Sequence, residues 1–474
     1  MAADQEAGKP GSRTDGSKKH FSLPVGKRRF TITERSWIFY DWANSAYATI
    51  IMAAVFPIYF ADVARGAGVS GDVWWGYATS LATLLVALMS PLLGAVADFR
   101  GMKKKLFTVF LLLGLVFTAV MAFTDQWQLM LTGYVLSYIG FSGSNLFYDS
   151  FMTDVTTPDR MDRVSAWGYA MGYIGGSTIP FILSIVLIIL GSSFGVDAIL
   201  AVKLAVLLCV TWWAVFSIPM LRRVRQLHFV ASPAADLVKR SLRNTIQTAR
   251  DIFANKAIFA FVLAYFFYID GVNTVIHMAT VYGSTLGLGT TGMILALLVT
   301  QLVAVPFSIL FSHLAGKIGS IRMIRLAVIV YMVICAVGFY MGYSLESVPP
   351  ESALYPAALA RSTTLFWMMA VLVGTCQGGI QALSRSFFGK LIPPRRSNEF
   401  FGFFDIFGKF AAVMGPALYA LTANLTGRSS YGILSLLFLF ACSLVTVWTG
   451  RHQLNMAEAQ GAAAVRASLS DNTA

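Results

Sequence analysis

Charged and amide side chains are scarce in the apolar stretches of this sequence, so those that occur mark where chemistry can happen. Deepest within their stretches lie Asn145, Asp270, Asn273, Gln377, Gln381 and Lys409. A charge near the centre of a bilayer costs about 2.5–3.5 kcal/mol on insertion scales, so such residues face a cavity or a partner. Asp270 and Lys409 offer one negative and one positive group at similar depth, which suits the ammonium and carboxylate of a zwitterion, while the amides orient its polar atoms. Asp270 can instead carry a coupling proton, or the two charges can simply pair with each other. His277 is either a proton relay or a hydrogen-bonded histidine.

A second set sits within one or two helical turns of the stretch ends: Asp41, Asp149, Arg385 and Asp405. With Asp98 and Arg100, just beyond the second stretch, these are candidates for a gate at one face of the membrane. The alternatives are structural ion pairs inside each half of the chain, or side chains that snorkel to the interface.

Motifs of enzyme chemistry are absent or misplaced. Gly287-Leu-Gly289-Thr-Thr-Gly292 matches a dinucleotide fingerprint, but no strand precedes it. Gly402 to Gly408-Lys409-Phe410 has the glycine spacing of a phosphate loop made one residue too long, and Phe410 stands where Ser or Thr would hold magnesium. Asn424-Leu-Thr426 is a glycosylation sequon, meaningful only in a eukaryotic secretory pathway. Cys209, Cys335, Cys376 and Cys442 lie singly in apolar runs and read as small hydrophobes rather than metal ligands. No nucleophile and base stand together, so the reading is not an enzyme, with no cofactor and no metal.

The elements that position these residues are membrane helices. Of 474 residues, 57% are hydrophobic and only 12% charged, with a mean hydropathy of +0.67; soluble domains run nearer 25% charged. Apolar runs fall near residues 37–61, 73–97, 106–124, 128–153, 164–190, 198–221, 256–282, 291–315, 322–343, 365–391, 399–424 and 430–450. These predict twelve spans in two sets of six, 36–221 and 256–450. Between them, residues 222–255 predict a linker with an amphipathic helix lying against the bundle, capped by Ser232 and Pro233, with Val238, Leu242, Ile246, Ala249 and Phe253 at helical spacing. The tails, 1–35 and 451–474, are polar, the first basic and the second expected to be disordered. Gly168, Gly172 and Gly176 give span 5 a smooth face for close packing.

The formal net charge of +13 is explained by topology. Of 36 Lys and Arg, 30 fall in the tails and in alternate loops, and four, Arg65, Lys203, Arg361 and Arg428, fall in the others. That asymmetry predicts both termini in the cytosol and removes nucleic acid as a partner. The remaining two, Arg385 and Lys409, lie inside spans.

Sliding the chain against itself by 236 residues aligns spans 4 and 5 with spans 10 and 11. Ser150 falls on Ser386, Asp149 on Arg385, Pro158 on Pro394, Arg160 on Arg396, Gly172 on Gly408 and Pro180 on Pro416. Two parallel repeats of this kind are the layout of two-halved carriers whose site lies between the halves.

The loop after span 2, Gly94-Ala-Val-Ala-Asp98-Phe-Arg100-Gly101-Met-Lys103-Lys104-Lys105, resembles the signature of the major facilitator superfamily. In the equivalent loop after span 8, Gly316 stands where the acid would be. Tyr40-Asp41-Trp42-Ala43-Asn44-Ser45-Ala46, Asp270-Gly271-Val272-Asn273-Thr274, Gln377-Gly378-Gly379-Ile380-Gln381-Ala382-Leu383-Ser384-Arg385-Ser386 and Glu399-Phe-Phe-Gly402-Phe-Phe-Asp405-Ile-Phe-Gly408-Lys409 narrow the resemblance to the branch of autophagy-linked vacuolar amino-acid effluxers and their bacterial relatives. It implies an all-helical, twelve-span carrier with two pseudo-symmetric six-helix halves, working as a monomer. Such a carrier would move a small polar solute, an amino acid among the candidates, with a coupling proton or ion. Its membrane would be the plasma or bacterial inner membrane, or a vacuolar-type one in a eukaryote. The superfamily's antiporter glycine–proline signature is not met in span 5, so antiport is not implied. A drug or metabolite exporter of the same fold, or a transport-inactive receptor or scaffold, is the alternative.

Overall fold

The computed structural model describes residues 29–230 and 237–459, and among these the chain is helical throughout. Ser232, Pro233 and most of both tails lie outside the described residues. Each apolar run becomes a helix: span 1 is Ile32–Gly66, span 2 Gly71–Ala97, span 3 Met102–Ala122, span 4 Trp127–Ser150, span 5 Met161–Phe194 and span 6 Ala198–Arg223. After the linker helix, Leu237–Ala254, come span 7, Lys256–Thr285, span 8, Thr290–Ile318, and span 9, Ser320–Glu346. Span 10 is Tyr355–Leu391, span 11 Ser397–Thr426 and span 12 Ser429–Thr449.

Eleven of these are long and apolar enough to cross a membrane. The exception is span 4. Its 24 residues reach about 36 Å at 1.5 Å per residue, more than a roughly 30 Å hydrocarbon core. Its sequence, however, carries Ser137, Ser142, Ser144, Asn145, Asp149 and Ser150. Such a helix is tolerated because its neighbours, spans 2, 3 and 11, shield it from lipid.

Spans 1 and 5 each switch to a π-helical turn, at Ala48–Ala54 and Gly172–Thr178. The two turns touch. A Cβ at Gly168 would overlap the Asp41 carboxylate, and one at Gly176 the Ser45 side chain. The glycine face of span 5 therefore seats span 1, and the π turn brings Gly175 onto the Trp42 ring as well.

The six-helix halves meet chiefly through span 2 on span 11 and through span 5 on spans 8 and 10. Their residues of closest approach cluster at one end of the bundle, the end where span 1 begins and span 12 ends. There Gly94 meets the Asn398 backbone and Gly402 meets the backbone of Ser90 and Pro91, so closely that no side chain fits between. Towards the opposite end, the last helical segment of span 1, Phe56–Gly66, packs on spans 2, 4 and 6 of its own half.

The linker crosses the closed end. Val230 N–H donates to the Asp98 carbonyl at 2.9 Å, and the Gln226 side chain accepts from Gly101 N–H at 2.8 Å. The linker helix packs on spans 2 and 11 with Ser241, Thr248 and Ile252 buried, and Arg396 pairs with its Asp251 at 2.7 Å. Leu242, Ile246 and Phe253 of its apolar stripe are exposed. The small hydroxyl face, which can approach the bundle backbone closely, makes the contact instead.

Candidate functional site

A cavity of about 440 Å³ lies between the halves, just above the closed end. Asn145 and Asp149 of span 4, Asn273 of span 7, Gln381 and Arg385 of span 10 and Asp405 and Lys409 of span 11 all line it, with Tyr169, Tyr265 and Phe404 among the aromatics. Members of both depth classes expected from sequence thus share one chamber. Asp149 and Arg385 form its floor, and Asn145, Asn273, Gln381, Asp405 and Lys409 its walls.

Arg385 is the centre of the floor. Its side chain is 4% exposed. One terminal nitrogen, Nη1, donates to Asp149 Oδ1 at 3.0 Å and the other, Nη2, to Asp41 Oδ2 at 3.0 Å, while Nε donates to Ser165 Oγ at 2.9 Å. The guanidinium lies 4.6 Å from the Trp37 ring centre and 4.5 Å from that of Tyr169. Tyr148 O–H donates to the same Asp41 oxygen at 2.7 Å. A planar cation with five donors fits between two rings and two carboxylates in a way an ammonium cannot. Arg385 comes from the second half, and every partner it holds comes from the first.

Lys409 does not meet Asp270. It forms an ion pair with Asp405 one helical turn earlier on span 11, and Asp405 also accepts from Ser90 Oγ of span 2 at 2.7 Å. A cation and an anion therefore stand side by side on the cavity wall. Asp270 is fully buried away from the cavity, where its Oδ1 accepts Gly415 N–H at 2.8 Å. Gln377 lines a separate, largely apolar cavity with Val275, Phe366 and Ile433. His277 is exposed. Arg100 is also displaced from the expected gate: its guanidinium lies 5.3 Å from the Phe229 ring centre, against the linker.

Asp98 holds the halves together directly. Just beyond span 2, it accepts the backbone N–H groups of Asn398 and Glu399, each at 3.0 Å, and Asn398 Nδ2 at 2.7 Å. A carboxylate at these N–H groups caps the first turn of span 11 from the other half, where the helix dipole favours it. Burial pushes the Asp98 carboxyl up to about 7, against the pull of Lys103.

Sequence reasoning missed several partners in this closure. Lys103 is wholly buried, pairs with Asp154 at 2.7 Å and donates to Ser397 Oγ at 3.0 Å. Asp162 accepts from Ser386 Oγ at 2.6 Å and pairs with Lys390 at 2.6 Å. Ser150 bonds Asn398. The repeat held the signal for two of these contacts. An offset of 236 places Asp162 on Asn398 as it places Ser150 on Ser386, so the two cross-half contacts are copies related by the pseudo-twofold axis. The same offset places Asn145 on Gln381 and Tyr169 on Asp405, all four on the cavity wall.

A family model described as vacuole effluxer Atg22 like matches residues 74–460. The MFS-type transporter YxiO of Bacillus subtilis (strain 168) is 44% identical over 425 residues, covering 88% of this chain and 94% of the relative. Autophagy-related protein 22 of Cryptococcus neoformans is 26% identical over 347 residues, covering 71% of this chain and 58% of the fungal protein. Among solved structures, a bacterial homologue of the iron transporter ferroportin, in an outward-facing state, superposes with a TM-score of 0.65 at 11% identity, covering 90% of this chain and 99% of that one.

Proposed function

This chain belongs to the family of Atg22-like vacuole effluxers and is a multi-pass transporter of the major facilitator type, not an enzyme, and we propose that it moves a small polar solute by alternating access, an amino acid being the favoured class. The observation that carries this reading is the chamber between the halves, with Lys409 and Asp405 of opposite charge on one wall and Asn145, Asn273 and Gln381 around it. The Lys409 ammonium would take a carboxylate, Asp405 or Asp149 an ammonium group, and the amides would fix orientation. A zwitterion entering the chamber would compete with the Lys409–Asp405 pair and so use charges already desolvated.

In this reading the closed end faces the cytosol, following the basic loops, and the solute enters from the opposite side. Arg385 with Asp41 and Asp149, and Asp98 with Asn398 and Glu399, are the inner gate. Opening it requires both clusters to part, because each joins the two halves.

The test is a thermal-shift and proteoliposome uptake screen of amino acids, other small polar solutes and lipophilic drugs, on the wild type and on Lys409→Ala. Stabilisation and saturable uptake of a zwitterion, both lost in Lys409→Ala, support the reading. Response to lipophilic compounds alone, or uptake unchanged by Lys409→Ala, overturns it.

A further inference from the structure

Asp270 lies fourteen residues into span 7, about 21 Å along it at 1.5 Å per residue, and is 0% exposed. One carboxyl oxygen accepts Gly415 N–H, while Oδ2 has no hydrogen-bond partner. Gly415 precedes Pro416 in span 11, and a Cβ there would overlap the Thr274 hydroxyl, so a bare backbone is pressed against the acid. No lysine, arginine or histidine pairs with Asp270 among the described residues. The titratable groups on span 7 and the helices packed around it include Tyr265 and Tyr268 of span 7 itself, Tyr331 and Cys335 of span 9, Cys376 and Arg385 of span 10, Asp405, Lys409 and Tyr419 of span 11 and Cys442 of span 12. Lys409 is committed to Asp405, and none of the others bonds Asp270. Phe440 fills the space beside Gly271. An ionised carboxylate without a cation is the most costly group a membrane core can hold, and it neutralises instead.

We infer that Asp270 is a proton-binding site, separate from the solute chamber, that holds its proton while spans 7 and 11 are in contact and exchanges it with water when they separate. The proton is taken up from water onto the carboxylate, which becomes the carboxylic acid, and is returned to water on the other side of the cycle. Because Asn273, one turn on, lines the solute chamber, movement of span 7 links the two sites. The coupling rests on the transport reading above; the proton site itself does not.

Infrared titration of the purified protein in lipid reads the acid directly. In an Asp98→Asn background, a carboxylic-acid C=O band persisting above the ordinary range for aspartate is expected with Asp270 present, and is expected to be missing once Asp270→Asn is added. Asp270→Glu keeps an acid and should move the band rather than abolish it, which separates a lost proton from a misfolded variant. A band unchanged by Asp270→Asn, or one discharged by sodium at fixed pH, overturns the proposal. In proteoliposomes, Asp270→Asn should keep solute exchange but lose accumulation driven by a pH gradient, and gradient-driven accumulation that persists in Asp270→Asn also overturns it. If wild-type vesicles move no solute while the band behaves as expected, the transport reading fails and the proton site stands.

Discussion

Arg385 and Asp149 occupy the same position in the two repeats, 236 residues apart, and their side chains meet at 3.0 Å across the interface between the halves. A pseudo-twofold axis passing between equivalent residues of opposite charge makes a lock from a single substitution in a duplicated helix. Asp41 adds a second carboxylate from span 1, so three spans are tied at one point.

Removing the guanidinium leaves Asp41 and Asp149 facing each other with no cation. Breaking a buried pair in this way costs about 3–5 kcal/mol, and the partial exposure of Asp149 places the loss toward the lower figure. Arg385→Ala should therefore open the floor, and Arg385→Lys should rescue little, since one ammonium cannot span both carboxylates and two rings. Labelling of an engineered cysteine in the chamber from the closed end measures this; unchanged labelling in Arg385→Ala would contradict it.

Glycine at position 94 tests closure without touching a charge. A methyl group there would collide with the Asn398 carbonyl of the other half, so Gly94→Ala should hold the end apart and lower the thermal midpoint of the closed form. Gly66→Ala, with open space around it, is the matched control and should change neither quantity.

Asp98 gives closure a pH dependence with a definite sign. Its carboxyl titrates at about 7 when buried at the interface and near 3.9 when solvated. The closed form therefore binds the proton more tightly, so closure is most favoured below about pH 4, weakens as pH rises from there to about 7, and levels off above that value. Closure measured by cysteine accessibility should show this slope in the wild type, and Asp98→Asn should flatten it. A slope of opposite sign would refute the assignment.

Asn145 and Gln381, equivalent in the repeats, face one chamber. If each contributes one hydrogen bond to a polar solute, worth about 1 kcal/mol, either alanine variant should weaken solute binding roughly five- to tenfold. Neither should unlock the closed end. Isothermal titration with the solute found by screening provides both affinities, and equal affinity in the wild type and both variants would remove the amides from the site.

Much of this was legible because a bilayer permits few solutions. Apolar runs of span length could only be helices, and even span 4, the least apolar, stood out by its bounds. The offset of 236 foretold that Asp149 and Arg385 are equivalent, and it contained the Asp162–Asn398 equivalence unread. Depth along a span was legible, but facing was not. Asp270 and Asn273 are one turn apart, yet the first turns toward Gly415 and the second toward the chamber. Lys409 could have been assigned to Asp405 from their four-residue spacing alone. The π turns of spans 1 and 5 shift register by an amount no residue pattern announces, and they bring Gly175 onto Trp42.

Distances across the closed end test the central claim most directly. Lys105 at the start of span 3 and Arg395 before span 11 are exposed there, on opposite halves. With spin labels at Lys105→Cys and Arg395→Cys in lipid, electron–electron resonance should give a short-distance population in the wild type that moves to longer distance in Arg385→Ala. A distribution that stays short and unchanged in Arg385→Ala would show that Arg385 does not hold the halves together, and the gate would have to be sought elsewhere.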